Sequence, residues 1–310
     1  MGFWKVFFSA IFMIIVAGLL IMYWFVPYRN IQLNAVPEEY QGNNNFSLIN
    51  IESEGMQFYQ NMRYPESRIS YKFSKCSLKK KNNMQRAFEI IEEKTTLNFY
   101  EVPSEERITI SCSEKVKMDR KEEFFIAGEG GPTKIIRTEK FNVIFGGEIL
   151  LIDESKCEKP NVAIHELLHA LGLKHSKNPN NIMYNITRCQ QTIGDDTINL
   201  LNELYSIPSH PDLKINNVSA SIKGKYLNTN ATISNNGLKT SDRAKLIIST
   251  NKGVVKEINI EPFQIGHGKT IYWKNLWIEE RNYDYLKYEI QSSQQELDKK
   301  NNKIKLKIKE

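Results

Sequence analysis

The sequence predicts an apolar N-terminal helix, then an α+β domain, then an all-β sandwich forming roughly the last third of the chain. Three observations predict this order. From Val6 to Tyr28 no residue carries a charge. Between Pro65 and Ile207 short strand-like runs alternate with apolar residues recurring at i, i+3, i+4 and i+7, the helical period. Beyond Pro211 that period disappears, and seven β-rich runs separated by turn residues follow.

Length and charge set the frame. A chain of 310 residues accommodates a membrane segment and two modest domains. The net charge of +6 is mild and its Lys and Arg are spread along the chain. That disfavours a nucleic-acid surface and leaves only weak attraction to anionic lipid or cell wall.

Residues 1–28 read as a transmembrane signal-anchor, because FFSAIFMIIVAGLLIMYWFV would span about 30 Å as a helix. A cleaved signal peptide fits less well: the run is long and ends in Tyr23, Trp24 and Phe25 rather than small residues. Lys5 on one side, against Arg29 with Glu38 and Glu39 on the other, places the N-terminus in the cytoplasm and the rest outside the cell membrane. Residues 29–64 form a polar linker with an Asn patch at 43–45 and no cysteine.

Residues 65–207 are the α+β domain. Ile69 to Phe73 alternates like a strand, and Met84, Ala87, Phe88 and Ile91 give an amphipathic helix over Leu78 to Lys94. Strands are expected at Leu97 to Val102, Arg107 to Cys112 and Phe145 to Ile152, and a final helix from Asp195 to Ile207 stops at Pro208. The glycine-rich Ala127 to Pro132 (AGEGGP) lacks the Gly-Lys-Ser/Thr of a phosphate loop and reads as a flexible surface loop.

The chemistry concentrates in Asn161 to Tyr184, NVAIHELLHALGLKHSKNPNNIMY. On a helix N-capped by Asn161, His165 and His169 lie at i and i+4 and point from one face, so two imidazoles can meet one ion. Gly172 ends the helix in a left-handed turn and lets His175 return to that ion. Three imidazoles at roughly 2.0–2.1 Å leave the fourth position of a zinc ion open. Glu166 stands beside the first ligand but off its line, which suits a general base rather than a ligand.

HELLHALGLKH, His165 to His175, resembles the extended zinc signature of the metzincin peptidases. Ser176 and the short path to Asn181-Ile-Met-Tyr184 resemble the matrixin branch. The resemblance implies a metzincin-like α+β catalytic domain, one catalytic Zn2+ and hydrolysis of protein or peptide substrates. It implies that Met183 lies in a tight turn under the ligands, and Tyr184 beside it is a candidate substrate contact. It further implies that the strand before the zinc helix is a sheet edge on which substrate lies, making Gly147, Glu148, Ile149, Leu150 and Leu151 candidate cleft residues. The cysteine latency device of that family is absent, since no cysteine precedes Cys76.

Four cysteines, none in CxxC spacing, read as two disulfides on an exported chain. Of three pairings, Cys76–Cys112 and Cys157–Cys189 are favoured, the latter clasping the ligands and the Met turn. Residues 208–212 (PSHPD) are a linker and 213–310 an immunoglobulin-like β-sandwich, in which Val218, Ala220, Ile222 and Ile304, Leu306, Ile308 alternate. The sandwich resembles CARDB-like adhesion modules, and it serves either as a spacer or as the binder of a surface ligand.

The reading is a membrane-anchored extracellular zinc endopeptidase. A non-catalytic adhesion protein and a zinc amidase acting on cell-wall bonds are the competing classes. The intact Glu166 argues against a silent site.

Overall fold

The structure, a computed structural model, describes residues 2–25, 31–36, 55–114, 117–118, 125–152, 157–279 and 283–308. The apolar N-terminal run is helix α1, Gly2–Phe25, whose described side chains are exposed. Among the described residues no helix is long and apolar enough to cross a membrane. The transmembrane anchor expected over 1–28 is therefore not supported.

The α+β domain is built on one mixed sheet. Its strands are β2 (Met62–Arg63), β3 (Arg68–Ser74), β4 (Asn98–Glu101), β5 (Ile108–Cys112), β8 (Gly128–Arg137) and β9 (Asn142–Leu151), while β6 (Lys117–Met118) and β7 (Phe125–Ile126) form a separate short ribbon. The order is β2-β9-β5-β3-β4, all parallel, and β8 runs antiparallel along the other side of β9. Helix α2 (Leu78–Lys94) starts at Ser77, whose side chain accepts from Lys80 N, and buries Met84, Ala87, Phe88 and Ile91. Tyr71, Phe88 and Phe99 stack in series beneath it, at 4.4 and 4.6 Å between ring centroids. Helices α3 (Asn161–Ala170) and α4 (Asp195–Ser206) complete this core.

Burial also decides the N-terminal edge of the domain. Arg63 is 1 % exposed, and its guanidinium donates to the carbonyls of Tyr64, Pro65, Leu204 and Ile207, capping the end of α4. Cations near a helix C-terminus are favourable because orphan carbonyls gather there.

The sandwich comprises β10 (Leu213–Lys223), β11 (Tyr226–Asn235), β12 (Ala244–Thr250), β13 (Gly253–Ile260), β14 (Gly268–Trp277), β15 (Tyr285–Gln291) and β16 (Lys303–Ile308). Alternation buries Leu213, Ile215, Leu227, Ala231, Ile233, Leu246, Ile248, Leu286 and Leu306 in its core. Strand β1 (Ile31–Val36) falls inside the segment read as a polar linker, yet it pairs antiparallel with both β16 and β10 and joins the two halves of the sandwich. Its six residues give too short a period to stand out in a polar stretch.

The two domains are packed together. Phe141 and Val143 of the first form a buried cluster with Leu238, Ile265 and Leu297 of the second. The connecting segment is bonded in, with Leu238 N donating to His210 O at 2.8 Å and Leu297 N to Pro211 O at 3.0 Å.

Candidate metal centre and active site

Every residue of α3 is buried, so its two histidines are held by packing on all sides. Asn161 is the first helical residue rather than the cap, and its amide donates to Arg188 O at 2.7 Å, tying the helix start to the loop before Cys189. Gly172 takes φ 97°, and a Cβ there would meet Met62 Sδ at 2.8 Å, so both conformation and space require glycine. The chain turns at that point and brings His175 back. The ligating atoms of His165, His169 and His175 all lie within 4.8 Å of one another.

The donor set fits a zinc ion. Nδ1 of His165 is 2.7 Å from Ile182 O and Nδ1 of His169 is 2.7 Å from Leu173 O. A carbonyl only accepts, so each Nδ1 carries the proton and each Nε2 presents a lone pair. Those two Nε2 atoms face each other at 3.0 Å, an arrangement of two acceptors that calls for a cation. Burial, and secondarily His165, pushes the His169 pKa down to about 4, while burial lowers those of His165 and His175. Neutral imidazoles are the form that binds metal.

The floor and one wall come from outside α3. Met183, 2 % exposed, sits in a turn where Asn181 Oδ1 accepts from Met183 N at 2.8 Å and Ser176 N donates to Met183 O at 2.7 Å. Tyr184 follows in the same turn, bridged to Ser176. Phe58 stacks on His169 with 6.0 Å between ring centroids, and Phe58 N and Lys174 N bond to Gly172 O and Met56 O at 2.9 and 2.8 Å. The end of the segment read as linker thus braces the loop that carries His175. Only the apolar Met56 and Phe58 in a polar stretch hinted at it.

The family model for matrixin matches residues 63–206, and the model for CARDB matches residues 210–305. Residues 63–206 are thus a matrixin domain and residues 210–305 a CARDB domain. Solved structures similar to it include High choriolytic enzyme 1, a hatching-enzyme zinc protease of the medaka Oryzias latipes, at 15 % identity and TM-score 0.32, covering 50 % of this chain and 96 % of that one. Another is the CARDB domain of a Pyrococcus furiosus protein in complex with di-metal ions, at 14 % identity and TM-score 0.24, covering 32 % of this chain and 88 % of that one. No curated protein matches the chain.

Within the matrixin domain the edge next to the zinc helix differs from expectation. Gly147 to Leu151 lie in β9, which is paired on both sides, with β5 and with β8, so they are not the sheet edge. Ile149 and Leu151 are buried in the core, Leu150 is half-buried and Glu148 is exposed. The strand beyond β9 is β8, which begins in the stretch read as a glycine-rich loop. Its glycines have a packing role: a Cβ on Gly128 would meet Glu166 Cγ at 2.7 Å, and one on Gly130 would collide with the Glu166 carbonyl oxygen. A glycine inside a strand often marks such a close approach.

Glu166, 6 % exposed, is not part of the converging ligand group. Its carboxylate lies against Gly128, and burial, then the charge of Glu129, raises its pKa to about 8. The disulfides join Cys76 to Cys112 and Cys157 to Cys189. The second clasps the approach to α3 to the segment after the Met turn.

Proposed function

We propose that the chain is a zinc-dependent endopeptidase working outside the reducing cytosol. The observation that carries this is the pair of Nε2 lone pairs of His165 and His169 held face to face at 3.0 Å, with His175 closing the triad. Two disulfides and no free cysteine among the described residues support an oxidising compartment.

His165, His169 and His175 hold the ion, oriented by the carbonyls of Ile182 and Leu173. Zinc, when bound, supplies Lewis acidity that polarises the scissile carbonyl and makes water acidic enough to react near neutral pH. Glu166 takes the proton of the attacking water on its carboxylate and returns it to the leaving amine. Burial holds its pKa at about 8 in the metal-free protein, and a cation held by the histidines would lower it. The substrate chain lies along β8, adding a strand on the side that no described strand pairs. Tyr184 contacts the substrate from the Met turn.

Cleavage of a proteome-derived peptide library by the protein, with and without a chelator, tests this. Chelator-sensitive cuts inside peptides support it. Hydrolysis of cell-wall amides with no peptide cleavage would make the protein an amidase, and inactivity of a zinc-loaded preparation on both would leave an adhesion protein.

A further inference from the structure

The outer face of the sandwich carries a group of side chains for which peptide hydrolysis has no use. Along β11, Leu227, Thr229, Ala231 and Ile233 are buried, so the residues between them face outward. Strand β14 is the last of the sheet on this side; in it Trp277 stands opposite Tyr226, and Tyr272 opposite Asn230. Tyr272 and Trp277 are five positions apart in sequence, which in a regular strand would put them on opposite faces. A bulge corrects this. The register shifts between Leu227 and Thr229, so that Lys274 and Asn275 stand against the single Asn228. Asn275 adopts φ 56°, and its N–H donates to Asn228 Oδ1 at 2.9 Å. Bulges re-aim side chains, and this one brings both aromatics onto the same face.

The face has a distinct chemistry. Tyr226, Tyr272 and Trp277 are 46, 69 and 47 % exposed, and they are three of the seven large apolar side chains exposed outside α1 among the described residues. Tyr226 meets Trp277 edge-on at 5.7 Å, with Lys225 Nζ 5.1 Å from the Trp277 ring centre. The spans 213–235 and 268–277 contain no Asp or Glu but include Lys214, Lys223, Lys225 and Lys274 on or beside this face, while Lys269 stands opposite the buried Ile233 and lies on the other. Of these, Lys214 pairs with Glu139 of the matrixin domain. Between the aromatics lies a row of small polar groups, with Ser219 paired to Asn230 and Ser221 to Asn228.

We propose that this face binds an anionic polysaccharide. Flat rings take the C–H faces of sugars, neutral amides and hydroxyls match sugar hydroxyls, and the Lys223 and Lys274 ammonium groups match acidic substituents. Tyr226 and Asn230 are four residues apart along β11, so the two aromatic positions on β14 are about 13 Å apart at about 3.3 Å per residue, a span suited to an oligomer. The buried cluster at Phe141 and Leu238 holds the sandwich against the matrixin domain. The inference does not depend on the peptidase reading.

The test is retention of the full chain on immobilised polygalacturonate, hyaluronate and chondroitin sulfate, with dextran as the neutral control. Retention on at least one acidic polymer and not on dextran is expected. Tyr272→Ala with Trp277→Ala should weaken it at least tenfold, with zinc content and melting temperature unchanged. The single Tyr272→Ala, at the most exposed position, keeps the comparison valid if the double variant unfolds. Lys223→Gln with Lys274→Gln should weaken it and reduce its salt dependence. No retention on any acidic polymer overturns the proposal. So does wild-type binding by the folded aromatic variants, which would indicate charge alone, or equal competition by poly-glutamate, which would indicate an acidic peptide.

Discussion

The Lys140 ammonium lies 2.8 Å from the Asp212 carboxylate across the boundary between the domains, and the Asp212 side chain is fully buried. Asn301 Nδ2 donates to its other oxygen at 3.0 Å. Lys140 belongs to the turn joining β8 to β9, so the sandwich holds the hairpin whose other end lies against Glu166. Removing one partner of a buried pair typically costs about 3–5 kcal/mol. Lys140→Met should therefore lower stability by that order in denaturant unfolding, and adding Asp212→Asn should restore part of it. An unchanged transition midpoint in Lys140→Met would remove this pair from the interface energetics.

Glu166→Gln keeps the shape of the side chain and removes the carboxylate. Its kcat should fall about 10²- to 10⁴-fold, while zinc content and melting temperature hold. Loss of zinc on substitution would instead make Glu166 a ligand.

The metal-free protein has a pH signature. Glu166 holds its proton to about 8 when folded, against an ordinary carboxyl value of 4.5, so across pH 6.5 to 8 the folded state binds more protons than the unfolded one. Stability should fall with rising pH in that window, and Glu166→Gln should flatten the slope. The histidines act oppositely: their folded pKa values are lowered from 6.5, so stability is lost as pH falls below that value. Thermal melts in chelator from pH 5 to 8.5 measure both limbs.

Gly130 and Gly131 make a matched pair. Gly130→Ala drives a methyl into the Glu166 carbonyl and should cost about 1–3 kcal/mol as an overpacked contact, with reduced kcat. Gly131→Ala, with nothing within 4 Å of the new carbon, should leave the melting temperature unchanged.

The Cys157–Cys189 bridge closes a sequence separation of 32 residues containing all three ligands. Replacing both cysteines by serine should destabilise the protein by roughly 2–4 kcal/mol. It should also speed zinc loss to a chromogenic chelator. Equal release rates would show that the bridge stabilises without holding the site.

Much of the site was legible because its spacing is local. His165 and His169 are one helical turn apart, Gly172 is a turn residue, and the path to Met183 is short, so neighbouring residues alone set their placement. Helix α2 and the strands of the sandwich were legible for the same reason: their periods are written within each element. Tertiary structure alone decided the rest. Ile182 and Leu173 orient the ligands through backbone carbonyls, which leave no mark on side-chain identity. Strand β8 reads as a loop because glycine has little strand preference, and it is a strand only because β9 pairs with it and α3 needs the space that glycine leaves. The pairing of β1 with β10 and β16, and of Lys140 with Asp212, joins residues far apart in the chain. Such contacts depend on register and packing, which no single stretch of sequence encodes.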